Sequence, residues 1–207
     1  MTKSTDEMDP NVRKFLEAIE QENADRRNSA KRLIQAVQGD DVDELFYALH
    51  WAKDADGLHR GFRGIGRLAA VSKMAQEAFL QIWMEDGDLI RSEVCDDRVV
   101  MDALWVLLPR YDGPGLTLYR GDGMANRKHR SYGLSWTRER DVGLAYAASR
   151  RSRYTDGTVL LSTFAPPEAI ICAPFLHDNR FEECEYVVDR RRLNKVSVEQ
   201  RLSYKPE

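Results

Sequence analysis

The chain has 207 residues, 43% of them hydrophobic and 31% charged, with a net charge of −3. That length allows one large domain or two small ones at roughly 100–200 residues per domain, and that balance excludes a disordered chain, a collagen-like chain and a disulfide-framework miniprotein. The charge is unevenly divided: residues 1–110 hold 15 Lys+Arg against 21 Asp+Glu, net −6, and residues 111–207 hold 16 against 13, net +3, so an anionic ligand is expected in the C-terminal half.

The opening MTKSTDEMDP carries acids and no apolar stretch, so no secretory signal is expected. No apolar run approaches the roughly 18 residues of a spanning helix, which argues against a membrane partner. Cys95, Cys172 and Cys184 are scattered and odd in number, as expected of free thiols in a reducing cytoplasm.

From residue 9 to residue 108 the pattern is helical. Asp9-Pro10 offers an N-cap and a first-turn proline, followed by Val12, Phe15, Leu16 and Ile19 at helical spacing. Gly39 interrupts the pattern, and Leu45, Phe46, Leu49 and His50 resume it. Gly61-Phe62-Arg63-Gly64-Ile65-Gly66 lacks the G-x-G-x-x-G order and follows no strand, so it reads as a flexible connection between helices. A third helix is expected over 68–84, with Val71, Met74, Ala75, Ala78, Phe79 and Ile82 on one stripe, ended by Glu85-Asp86-Gly87-Asp88. A fourth is expected over 96–108, stopped by Pro109.

After the turn cluster Tyr111-Asp112-Gly113-Pro114-Gly115 the texture changes. Short β-type runs occupy 116–120, 134–137, 158–164, 169–172, 186–188 and 196–202, with one helix over 139–150. The expected class is therefore α+β: a helical region over 1–110, then an antiparallel or mixed sheet over 111–207. The four histidines lie far apart without ligand spacing, so no metal site is expected. The basic clusters at 150–153 and 190–192 read as solvated surface, with phosphate or nucleic-acid contact the lesser alternative.

Three short segments carry chemistry when taken together. In Leu118-Tyr119-Arg120-Gly121 an arginine near a strand end can reach an anion, while the bare glycine backbone admits a ligand closely. In Tyr132-Gly133-Leu134-Ser135-Trp136-Thr137 the hydroxyls of Ser135 and Thr137 stand at i and i+2, opposite Trp136. In Phe181-Glu182-Glu183-Cys184-Glu185-Tyr186 the carboxylates of Glu183 and Glu185 repeat that spacing. Taken alone, these two acids read as an exposed turn paired with Arg190, Arg191 and Arg192.

The order Arg-Gly, then S-x-T, then E-x-E entering a β-run resembles the arginine–serine–glutamate class of ADP-ribosyltransferases, above all its bacterial and phage-borne members. The resemblance covers residues 111–202 and is strongest at YRGDG, YGLSWTRERDVGLAYA and EECEYVVD. The hydroxyl motif ends in Thr137 where the class has serine, and Glu182 adds a third acid. Glu185 is taken as the second glutamate because Tyr186-Val187-Val188 continues as a strand.

The resemblance implies a split β-sheet core over 111–207 that binds NAD as co-substrate, without a metal. Glu185 would hold the ribose 2′-hydroxyl, and Arg120 would clamp the pyrophosphate or adjoining ribose. The Gly121 backbone would pair with the nicotinamide amide. Ser135 and Thr137 would support Glu185 and the ribose, Trp136 would pack beneath them, and Glu183, on the acceptor side, would orient or deprotonate the incoming nucleophile. Glutamate at that first position goes with protein arginine acceptors in the family, which makes protein the expected acceptor ahead of nucleic acid. Hydrolysis of NAD with water as acceptor remains an alternative. So does a non-catalytic binding protein of a phage or toxin system, in which an antitoxin or inhibitor would be the partner.

Overall fold

A computed structural model describes residues 9–177 and 184–206. The chain divides between Leu107 and Leu108 into two compact units.

The first unit is helical among its described residues. Helix α1 spans Pro10–Ala36, and Asp9 caps it by accepting from the Asn11 amide. Its apolar stripe at Val12, Phe15, Leu16 and Ile19 is exposed, and burial begins only at Ser29, Ala30 and Leu33. Helix α2 spans Val42–Asp54 under an Asp41 cap and buries Leu45, Ala48 and Ala52. Phe46 and His50 face outward, so the buried stripe runs at i, i+3, i+7 from Leu45.

Two expectations are corrected here. The glycine-rich stretch is not a flexible connection but helix α3, Leu58–Ile65, with Phe62 and Ile65 fully buried. Its glycines let it approach α1. A Cβ at Gly61 would sit 2.9 Å from Leu33 Cδ2, and one at Gly64 would collide with Ile34 Cδ1. Helix propensity is overruled by close packing. Second, the helix expected over 68–84 is α4, Lys73–Val94, capped by Ser72 and continuing through Asp86, Gly87 and Asp88. It continues because Ile90 and Val94 keep the buried stripe going, and Gly87 lies against the Trp83 ring. Helix α5 follows at Asp97–Leu107, with Asp96 accepting from the Arg98 and Val99 amides.

The second unit is a six-stranded antiparallel sheet: β1 Leu116–Gly123, β2 Ser135–Thr137, β3 Thr158–Ala165, β4 Ile170–Cys172, β5 Glu185–Val188 and β6 Val196–Leu202. The spatial order is β4-β5-β2-β1-β3-β6. Every expected β-run is a strand, with no end moved by more than three residues and β6 matching at both ends. Helix α6, Met124–His129, was not expected from the sequence; α7, Arg140–Ser149, was. One sheet face carries Leu118, Trp136, Val159, Leu161, Tyr186 and Val188, which form the core with Tyr132, Ala169, Ile170 and Ala173. The other face receives α7. A Cβ at Gly121 would collide with Ala147 N and Gly143 O, so the helix backbone lies directly on β1.

Candidate functional site

The three chemistry-bearing segments lie on neighbouring strands, β1, β2 and β5. β2 pairs antiparallel with β5 at Ser135↔Val187, Trp136↔Tyr186 and Thr137↔Glu185. Directly opposed residues share a face, so Thr137 and Glu185 are side-by-side neighbours and Ser135 stands two residues along the same face. Trp136 and Tyr186 point to the other face, into the core, where Trp136 is 2% exposed and Tyr132 meets its ring edge-on at 5.8 Å. Trp136 thus lies beneath the hydroxyl pair.

β1 joins β2 through the single pair Tyr119↔Thr137. By alternation Tyr119 and Gly121 share the face of Ser135, Thr137 and Glu185, whereas Arg120 lies on the core face with Leu118. Arg120 reaches β2 from that side. Its Nη1 donates to the Ser135 carbonyl, and its Nε donates to Asp122 Oδ2 at 2.7 Å. The structure therefore groups Thr137, Ser135 and Glu185 on one face and connects Arg120 to them through the Ser135 main chain. Gly133 passes over the guanidinium so closely that a Cβ there would collide with it.

Asp122 is 1% exposed. Burial works to raise its pKa, but the Arg120 charge and the hydrogen bonds from Asn126, Arg120 and Gly133 outweigh it, and the carboxyl is held below its ordinary value.

Thr137 is buried, and its Oγ1 accepts from the Glu139 amide at 3.1 Å, which aims the hydroxyl hydrogen elsewhere. Glu185 is half-buried at the start of β5. Its charge is felt by Cys172, whose thiol is pushed up to about 12 by burial first and by Glu185 second. Glu183 lies outside the described residues. Asp122 and Arg138 escaped the sequence reading. The Arg138 pKa is raised, by Tyr186 first, then by its hydrogen bond to Glu139 and by Cys184, which puts a guanidinium beside the residues flanking Glu185. Their signals were their offsets, two after Arg120 and one after Thr137.

The basic cluster at 190–192 makes structural bonds. Arg191 Nη2 lies 2.7 Å from buried Asp189, Arg192 Nη1 donates to the Glu168 carbonyl at 3.0 Å, and Arg190 Nη1 donates to the Tyr132 carbonyl at 2.7 Å. Among the described residues no group of three or more His, Cys, Asp or Glu is arranged to hold a metal, and no helix is long and apolar enough to cross a membrane. Comparison with protein-family models, with curated proteins and with solved structures finds no match to this chain.

Proposed function

We propose that the second unit is a mono-ADP-ribosyltransferase of the arginine–serine–glutamate class, with a sheet split at β1 and β2, which transfers ADP-ribose from NAD to a protein arginine. The observation that carries this is the register Thr137↔Glu185. Residues 48 positions apart in sequence, singled out by their motifs, are neighbours on one face, and Arg120 is bonded to β2, the strand that carries Thr137. The donor set suits a dinucleotide: a half-buried carboxylate and two hydroxyls for ribose, and a fixed guanidinium for negative charge.

When bound, NAD supplies the nicotinamide–ribose bond that breaks; neutral nicotinamide leaves and positive charge develops on the ribose, as in glycoside cleavage. Glu185 opposes that charge with its carboxylate and holds the 2′-hydroxyl. Thr137 and Ser135 keep Glu185 oriented, and Trp136 and Tyr186 give β2 and β5 a rigid underside. The bare side of Gly121 is filled by α7, so it is through its main-chain groups at the gap between β1 and β2 that Gly121 meets the nicotinamide amide. Arg120 sets the positive end of the site, and Glu183 takes the proton of the incoming nucleophile.

The test is transfer of label from NAD to lysate protein by the wild type and by Glu185→Gln. Glu185→Gln should lose about 10²–10³-fold, as other sites do when one transition-state electrostatic partner is removed. Undiminished labelling by that variant overturns the site. NAD consumed with no labelled acceptor makes water the acceptor. A chain that neither binds nor consumes NAD is a binding protein of another kind.

A further inference from the structure

We propose that Asp122 is a positioning residue: it fixes the Arg120 guanidinium across the gap between β1 and β2, and through Arg120 it sets affinity for the dinucleotide. The ligand rests on the ADP-ribosyltransferase proposal above; the positioning does not.

β1 and β2 pair at Tyr119↔Thr137 and make no further register pair. Continuing that antiparallel register would bring Gly121 opposite Ser135 and Gly123 opposite Gly133. At those two levels side chains span the strands instead. Arg120 Nη1 donates to the Ser135 carbonyl, and the Gly133 amide donates to Asp122 Oδ2 at 3.0 Å. The same Oδ2 accepts from Arg120 Nε at 2.7 Å. Oδ1 accepts from the Gly123 amide and from Asn126 Nδ2, both at 2.7 Å. One buried carboxylate thus takes four donors from β1, α6 and the approach to β2.

An ionised carboxylate offers about four lone-pair sites, and here four donors meet them. The carboxylate cannot turn, and the guanidinium, held at Nε and at Nη1, cannot turn either. A planar fork held at two points presents its remaining edge in one orientation, which is what recognition of a phosphate or ribose requires. Gly133 completes the arrangement, because any side chain there would displace the guanidinium.

The experiment measures KM and kcat for nicotinamide release, and hydrogen exchange at the Arg120 Nε–H by NMR, in the wild type, Asp122→Asn, Asn126→Ala, Arg120→Lys and the Asp122→Asn/Arg120→Lys pair. Asp122→Asn should raise KM for NAD about tenfold and change kcat less than about threefold, because Arg120 contributes binding felt equally before and at the transition state. It should also unprotect the Arg120 Nε–H. Asn126→Ala, which removes one donor and keeps the charge, should shift KM in the same direction by about twofold to threefold and stands in if Asp122→Asn does not fold. In the Arg120→Lys background, Asp122→Asn should add less than about twofold. A merely structural role would lower the active fraction and leave KM alone. Unchanged KM and protection in Asp122→Asn, or effects that multiply in the double variant, overturn the proposal. A wild type that releases no nicotinamide, with Nε–H protection still lost in Asp122→Asn, overturns the NAD reading and leaves the positioning role standing.

Discussion

Cys172 is fully buried on β4, across from Val187, with Glu185 near enough to act on it electrostatically. Burial first and the Glu185 charge second push its thiol up to about 12. At pH 8 almost none of it is thiolate, the form that reacts. Cys95 is exposed at the end of α4, in left-handed backbone with φ of 55°. Iodoacetamide at pH 8 should therefore label Cys95 within minutes and Cys172 only after unfolding in guanidinium, as read by peptide mass spectrometry. Labelling of Cys172 at the Cys95 rate in the native protein would show that the β4–β5 edge is open. The sequence showed three scattered thiols; which of them is inert is decided by neighbours on other strands.

At the scale of elements, helix α1 shows how far an apolar pattern can be trusted. The stripe at Val12, Phe15, Leu16 and Ile19 has helical spacing, and the helix forms, yet Phe15 is 65% exposed. Spacing reports the period of the backbone, not what covers it. Only the later turns, from Ser29 onward, are buried. Phe15→Ser should accordingly change the thermal midpoint by no more than about 2 °C, whereas Leu33→Ala, at a fully buried position, should cost on the order of 2–5 kcal/mol and lower the midpoint many times further. Equal losses from the two would mean that the Phe15 face is covered in solution.

Other elements were legible to different degrees. The strands were, because β-branched and aromatic runs between turn clusters have few alternatives. Gly87 in the sequence reads as a stop because glycine usually disfavours helix, but burial of Ile90 and Val94 offsets the cost. The glycines of α3 in the sequence read as a loop, although a helix pressed against α1 needs small residues at Gly61 and Gly64. Both errors come from contacts between helices that a window of one helix cannot contain.

For the whole molecule, the division between Leu107 and Leu108 sets where the chain can be cut. A deletion of residues 1–60 would end inside α3 and strip away α1, whose Leu33 and Ile34 lie against the helix that buries Phe62 and Ile65. Residues 108–207 contain a complete sheet and every residue proposed to act on NAD. That fragment should keep the far-ultraviolet circular dichroism of a folded sheet and should still release nicotinamide. Folding without nicotinamide release would assign the helical unit a role in completing the NAD site. Release with loss of transfer would assign it acceptor recognition.

The sequence by itself determined the change from helix to sheet after residue 110, the six strands, and the order of the arginine, hydroxyl and glutamate segments. Those are local properties, carried by side-chain period and by turn residues within windows of about ten positions. Tertiary structure alone decided that Thr137 meets Glu185 and that Arg120 is held by Asp122 across a gap in the ladder. Register between strands dozens of residues apart is chosen by which faces bury Trp136, Tyr186 and Leu118 together, and that choice is made only once the whole sheet packs. The charge of +3 over residues 111–207 follows the same division. Its sum is legible in the sequence, but the fold commits Arg190, Arg191 and Arg192 to structural bonds and sets Arg120 beside the hydroxyl strand.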